Sequence, residues 1–185
     1  MKPSFFILIF LLCISCSFSK NKETVPINHS LYKEGDIVFQ ISKSRQSLFI
    51  QLATASPWSH CGVIIEKNNK IYVLEASNVV KLTPLKEWKA RGRFSLMKQR
   101  RIFDKPIKIN YHKYLGQSYD LSFRFNNEKM YCSELVYEIY KEQFGIEIAK
   151  PRRVKDYHII GLDKLLKKRG ISKNQYVVAP SDLTG

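Results

Sequence analysis

Acidic residues are scarce in this 185-residue chain: 16 Asp and Glu stand against 31 Lys and Arg, a formal net charge of +15. That imbalance governs solubility and attraction to anionic surfaces; it does not select a fold. No recognisable nucleic-acid module accompanies the charge, so nucleic acid is not expected as a partner. The basic stretches at 81–113 and 150–173 suit an anionic membrane surface better. Cysteine is also scarce. There are four, two of them within the first 16 residues, and the remaining pair, Cys61 and Cys132, lacks CxxC spacing. A zinc module or a disulfide-stapled miniprotein is therefore not indicated. From Leu31 onward there is no internal repeat, linker or low-complexity run, which excludes a solenoid and a disordered chain. With 44% hydrophobic and 12% aromatic residues, the chain can instead bury one core, as a domain of this length hides roughly 68–70% of its unfolded surface.

The only long apolar run comes first. Residues 1–15 carry Lys2, then an apolar stretch from Phe5 to Leu12, then small residues, the layout of a bacterial secretory signal. The stretch is too short for a comfortable membrane span. Cys16 follows Cys13-Ile14-Ser15, a lipobox-like arrangement with Cys13 where Leu is usual, which would make Cys16 the lipidated residue. The expected organisation is a signal at 1–15, a polar tether with Pro26 at 16–30, and a folded domain at 31–185. The expected location is outside the cytoplasm, in the periplasm or on the envelope as a lipoprotein. Export permits disulfides, so a Cys61–Cys132 bridge is one reading of that pair and a single working thiol the other.

Residues 35–41 (GDIVFQI) read as a strand. Residues 45–55 read as a helix with Leu48, Leu52 and Ala55 on one face, ended before Pro57. Residues 60–66 and 71–76 are β-rich runs joined by the polar turn Lys67-Asn68-Asn69-Lys70, a hairpin signal. Further strands are expected at 79–82, 93–100 and 175–179, and short helices at 84–89, 106–115 and 162–169. The clearest helix is 131–144, with Leu135, Val136, Ile139 and Tyr140 on one face and Gly145 as its stop. Without regular βαβ alternation, the class is α+β, an antiparallel sheet packed against helices.

The hairpin carries a geometric deduction. With the turn on Asn68-Asn69, Glu66 faces Ile71 and Gly62 faces Glu75. His60 and Gly62 then share one face, and Cys61, Val63 and Ile65 the other. Glu75 lies diagonally from His60 on the same face, within reach of its imidazole, where a carboxylate fixes the tautomer and raises basicity. Gly62, opposite Glu75, leaves space there for a substrate. Cys132 begins the clearest helix, where unpaired N–H groups and the helix dipole favour a thiolate and can hold an oxyanion. A buried, inert Cys132 is the alternative. His29, His112 and His158 are weaker candidates for a base.

On GDIVFQIS, WSHCGVI, YVLEAS before KLTPLKEW, GQSYD and YCSELVYEIY, in that order between about residues 35 and 157, the chain resembles the permuted papain-like cysteine hydrolases of the YiiX/YaeF type. These are relatives of NlpC-type cell-wall peptidases and of lecithin–retinol acyltransferase. The order His60, Glu75, Cys132 is that of the circularly permuted members. The resemblance implies a permuted papain-like fold with the nucleophile at a helix N-terminus. It implies Cys132 as nucleophile, His60 as base and then acid, Glu75 as the group orienting His60, and Tyr119 as an oxyanion-supporting hydroxyl. Four departures from the NlpC pattern stand out: Ser118 replaces a proline, the glycine pair after Tyr119 is absent, Tyr131 replaces an Asp and Glu134 a Gly. The implied activity is cleavage of peptide or N-acyl amide bonds in the cell envelope through a thioester, with no cofactor or metal required. An acyltransferase or lipid hydrolase, or a non-catalytic lipid- or peptide-binding module, is the alternative. The substrate class is a small peptide, N-acyl or lipid-like molecule; oligomeric state does not follow.

Overall fold

The computed structural model describes residues 31–185. The expected signal, the tether and His29 lie outside the described residues. Among the described residues no helix is long and apolar enough to cross a membrane.

Five strands form one antiparallel sheet: β1 (Ile37–Ser42), β2 (His60–Lys67), β3 (Lys70–Ala76), β4 (Val80–Pro84) and β5 (Gly92–Arg100), in the order β4-β3-β2-β1-β5. Helix α1 (Ser47–Thr54) links β1 to β2, α2 (Leu85–Arg91) links β4 to β5, and α3 (Cys132–Phe144) follows the sheet. The hairpin has the expected register, with Glu66 opposite Ile71 and Val63 opposite Leu74. Asn68 and Asn69 both have positive φ, 51° and 55°, as a two-residue type I′ turn needs. That turn suits the right-handed twist of the strands and so fixes which residues share a face.

Both faces of the sheet are covered, and alternation divides its side chains between them. Ile37, Phe39, Cys61, Val63 and Ile65 pack with Leu135, Val136, Ile139 and Tyr140 of α3. Val38, Ile64, Ile71 and Val73 pack with Leu85 and Trp88 of α2 on the other side. This double coverage explains why β2 reads as a continuous apolar run.

A third cluster of Val154, Leu166 and Ile171 receives Phe49 of α1. It is the reason one expected helix face is reversed. Ile50 and Ala53 are buried, whereas Leu48 and Leu52 are 64% and 55% exposed. Ala55 ends α1 in the left-handed region, φ 49°. The helix expected at 106–115 is also absent. That segment runs extended to a single 3₁₀ turn at His112–Tyr114, because its backbone donors have side-chain partners. The Ile109 N–H donates to Glu34 Oε1 (2.8 Å) and the Asn110 N–H to Gln143 Oε1 (2.9 Å).

Gly62 has a different reason from the one expected. A Cβ there would stand 2.5 Å from Val73 Cγ1 and 2.6 Å from the Leu74 carbonyl oxygen. The missing side chain admits β3, not a substrate. Gly62→Ala should destabilise by about 1–3 kcal/mol, lowering the melting temperature by roughly 3–10 °C. Calorimetry checks this; an unchanged transition with lost activity would restore the substrate-space reading.

Candidate active site

β2 begins at His60, at the end of the sheet, and the strand pairing brings Glu75 of β3 beside it. His60 Nε2 lies 2.7 Å from Glu75 Oε2, and the imidazole lies over Trp88 with ring centroids 6.1 Å apart. Glu75 is wholly buried, and a buried carboxylate must be matched by donors. Four groups face it. Thr83 Oγ1 donates to Oε1 at 2.5 Å, the Trp88 indole N–H donates to Oε2 at 3.1 Å, Arg91 pairs with Oε1, and His60 occupies the remaining position. Burial opposes ionisation of Glu75, but His60, Thr83 and Arg91 outweigh it and hold the carboxyl at about 2.

Cys132 arrives from α3, at the helix's first residue, 2% exposed. With Nε2 on Glu75, the other imidazole nitrogen is the one left for the thiol, and each group shifts the other's ionisation. A hydrogen bond from Cys61 is the largest influence on Cys132. Burial opposes it, and His60 adds its own hydrogen bond and charge, so the thiol is held well below its ordinary range. Burial also works against the His60 cation, yet Cys132 and Glu75 push it up to about 9. Both shifts favour a thiolate–imidazolium pair. The first N–H groups of α3, which Cys132 begins, have no intrahelical partners.

These shifts link to stability. The His60 contribution is fully present below its ordinary value of 6.5 and disappears as pH rises through about 9. That of Glu75 is fully present above 4.5 and disappears as pH falls through about 2.

The first turn of α3 is fastened by residues that look, in sequence, like departures from a motif. Glu134 Oε2 accepts the Tyr131 N–H at 3.2 Å, closing the helix N-terminus. Burial pushes its carboxyl up to about 8, so near neutrality it sets little negative charge against the thiolate. The Tyr131 hydroxyl accepts the Val178 N–H, and Ser133 Oγ donates to the Val178 carbonyl.

Tyr119 stands on a two-residue strand, β6 (Ser118–Tyr119), paired in parallel with β7 (Lys129–Met130), which leads directly into α3. Its hydroxyl accepts Gln46 Nε2 at 2.9 Å. Burial, then the Cys132 charge, push its ionisation well above the ordinary value. A neutral hydroxyl therefore remains a donor facing the sulfur.

Of the four expected residues, His60 and Glu75 are in direct contact, while Cys132 is near enough to His60 and Tyr119 to shift their ionisation. His112 and His158 are exposed and lie elsewhere. Cys61 and Cys132 are free thiols, so the bridge reading does not hold in this structure. Cys61 was expected to point away from His60, and it does lie on the opposite face. That face is the one α3 covers, so Cys61 is set against the nucleophile candidate; knowing which helix covers Val63 and Ile65 would have revealed it. Gln46, Thr83, Trp88 and Arg91 were missed. Each acts through a partner distant in sequence and carries no local signal.

Comparison with known proteins bears on the family and the fold. Residues 31–184 match a family model described as a permuted papain-like amidase enzyme, YaeF/YiiX, of the C92 family. The chain is similar to the uncharacterized protein YiiX of Escherichia coli K12, with 36% identity over 158 residues, covering 79% of this chain and 78% of that one. It is also similar to a crystal structure described as the metalloprotein YiiX of Escherichia coli O157:H7. There the TM-score is 0.75 and the identity 35%, covering 82% of this chain and 91% of the other. Among the described residues of the present chain, no three His, Cys, Asp or Glu side chains are grouped as a metal ion would require.

Proposed function

Because the chain belongs to the permuted papain-like amidase family of YaeF and YiiX and its fold matches that of YiiX, we propose that it cleaves amide bonds with Cys132 as nucleophile, His60 as proton carrier and Glu75 as the anchor of His60. The observation that carries this reading is the buried His60–Glu75 pair at 2.7 Å, with Cys132 at the tip of α3 near enough for imidazole and thiol to shift each other's ionisation.

The steps follow from the charges. The Cys132 thiolate adds to the amide carbonyl, and its electron pair becomes the new C–S bond while the carbonyl π pair moves to oxygen. The N–H groups of the first turn of α3 and the Tyr119 hydroxyl receive that oxyanion. Collapse breaks the C–N bond as the His60 cation transfers its proton to the departing nitrogen. The neutral imidazole then takes a proton from water, whose oxygen attacks the thioester, and the carboxylic acid product leaves with the thiolate restored. Throughout, Glu75 accepts the Nε2–H and keeps the ring aimed. Export to the cell envelope, expected from residues 1–15, belongs to the same reading, and fractionation of cells expressing the full chain tests it.

The chemistry is tested by iodoacetamide labelling with peptide mapping across pH. An ordinary thiol near 8.5 loses reactivity about tenfold per pH unit below its pKa. Between pH 8 and pH 6 Cys132 should lose far less, because its thiolate persists, whereas Cys61, whose thiol burial pushes well up, should stay unlabelled. Amide hydrolysis should fall as pH rises through about 9, where His60 gives up the proton the leaving group needs. Equal, slow labelling of both cysteines would overturn the reading.

A further inference from the structure

Two hollows border the reacting groups, with no lining residue in common, and they differ in character. One is a cavity of about 70 Å³ lined by Cys132 and Ser133 together with apolar side chains that include Ile50 and Ala53 of α1 and Val178; His60 takes no part in it. The other is a cleft of about 790 Å³ lined by His60, Tyr119, Gln46, Asn78 and Arg91 but not by Cys132. Gln40, opposite His60 across β1 and β2, also lines this cleft. It is 3% exposed, and its Oε1 has no hydrogen-bond partner.

The reaction assigns one half of an amide to each hollow. His60 must deliver a proton to the leaving nitrogen, so the amine half lies over the imidazole, in the polar cleft. The acyl carbon bonds to Cys132, and the apolar cavity is the hollow that Cys132 lines and His60 does not, so the group the carbon carries is assigned there. We infer that the chain selects amides with a compact aliphatic acyl group, held in the cavity beside Cys132, and a polar amine half in the cleft.

Size decides how compact. A cavity of about 150 Å³ with apolar walls accommodates benzene, and this one is about half as large. It takes roughly a branched group of three or four carbons. Each methylene that fits should gain about fourfold in kcat/KM, while a long chain overruns the walls.

This inference rests on the thiol-hydrolase reading, and the test separates the two. The full chain is assayed with acetyl, isovaleryl, octanoyl and palmitoyl amides of 7-amino-4-methylcoumarin-3-acetic acid, whose carboxylate suits the cleft beside Arg91. Isovaleryl should exceed acetyl by more than about tenfold in kcat/KM, and octanoyl and palmitoyl should fall at least tenfold below isovaleryl. Ala53→Leu, which fills the cavity, should invert the order of acetyl and isovaleryl. Should that variant fail to fold, Ile50→Ala should instead move the optimum to a longer chain. Rates that climb with chain length to palmitoyl, or ignore the acyl group, overturn the inference. So does the absence of turnover while Cys132 still labels as an activated thiol. Hydrolysis that persists undiminished in Cys132→Ala overturns the thiol reading itself.

Discussion

Replacing Cys132 by alanine abolishes amide hydrolysis, lowering kcat by at least about 10⁴-fold, while the melting temperature stays within a few degrees of the parent. The loss is large because every bond-making step runs through this sulfur, and neither His60 nor Tyr119 can supply a nucleophile in its place. The stability change is small because the removed atom is a single sulfur at a helix tip. The contacts that fasten that tip come from Glu134, Ser133 and Tyr131. His60 keeps Glu75 and the Trp88 face. Rate measurement on an amide, with a melting curve on the same sample, checks both halves. A variant with activity within tenfold of the parent would remove Cys132 from the mechanism.

Glu75→Gln should cut turnover by about 10³–10⁴-fold, the scale seen when a triad carboxylate becomes an amide, and unlike the first variant it should also lose stability. Each carboxylate oxygen faces two partners: Thr83 and Arg91 at Oε1, His60 and Trp88 at Oε2. Whichever oxygen becomes the amide nitrogen, donors then meet a donor. The buried His60–Glu75 pair loses its anion, whereas Arg91, 45% exposed, can turn to water. Breaking a buried pair on one side costs about 3–5 kcal/mol, roughly 10 °C in melting temperature for a chain of this size. Without the carboxylate, His60 loses one of the influences holding it at about 9, so the alkaline limb of the rate profile should move to lower pH. A normal melting curve with an unshifted pH profile would show that Glu75 does not orient the imidazole.

The site was legible in the sequence where local rules decide geometry. A two-residue turn at Asn68-Asn69 fixes the register of the hairpin, and period-two alternation then places Glu75 beside His60. Helix periodicity with a glycine stop marks α3 and puts Cys132 at its start. What stayed illegible is set by contacts between distant segments. The buried face of α1 depends on the cluster around Val154 and Leu166, so Leu48 and Leu52 misled. Residues 106–110 have helix-like patterning, but Glu34 and Gln143 satisfy their backbone in an extended form. Gly62 shows that the same residue type serves two arguments: local reading found an open spot, while the structure finds β3 pressed against it. The positions that depart from the NlpC motif, Tyr131 and Glu134, have structural work at the head of α3 that no motif records.

The fastening of α3 to Val178 has a consequence for how the protein is made. Translation delivers the imidazole and its carboxylate first, the sulfur later, and the Val178 carbonyl and amide that pin Ser133 and Tyr131 later still. A chain still on the ribosome carries an acid and a base with nothing to activate, and even after the sulfur has emerged the tip that holds it lacks its last tie. Loss of the segment that carries Val178, far from the chemistry in sequence, would leave the molecule in that unfinished condition.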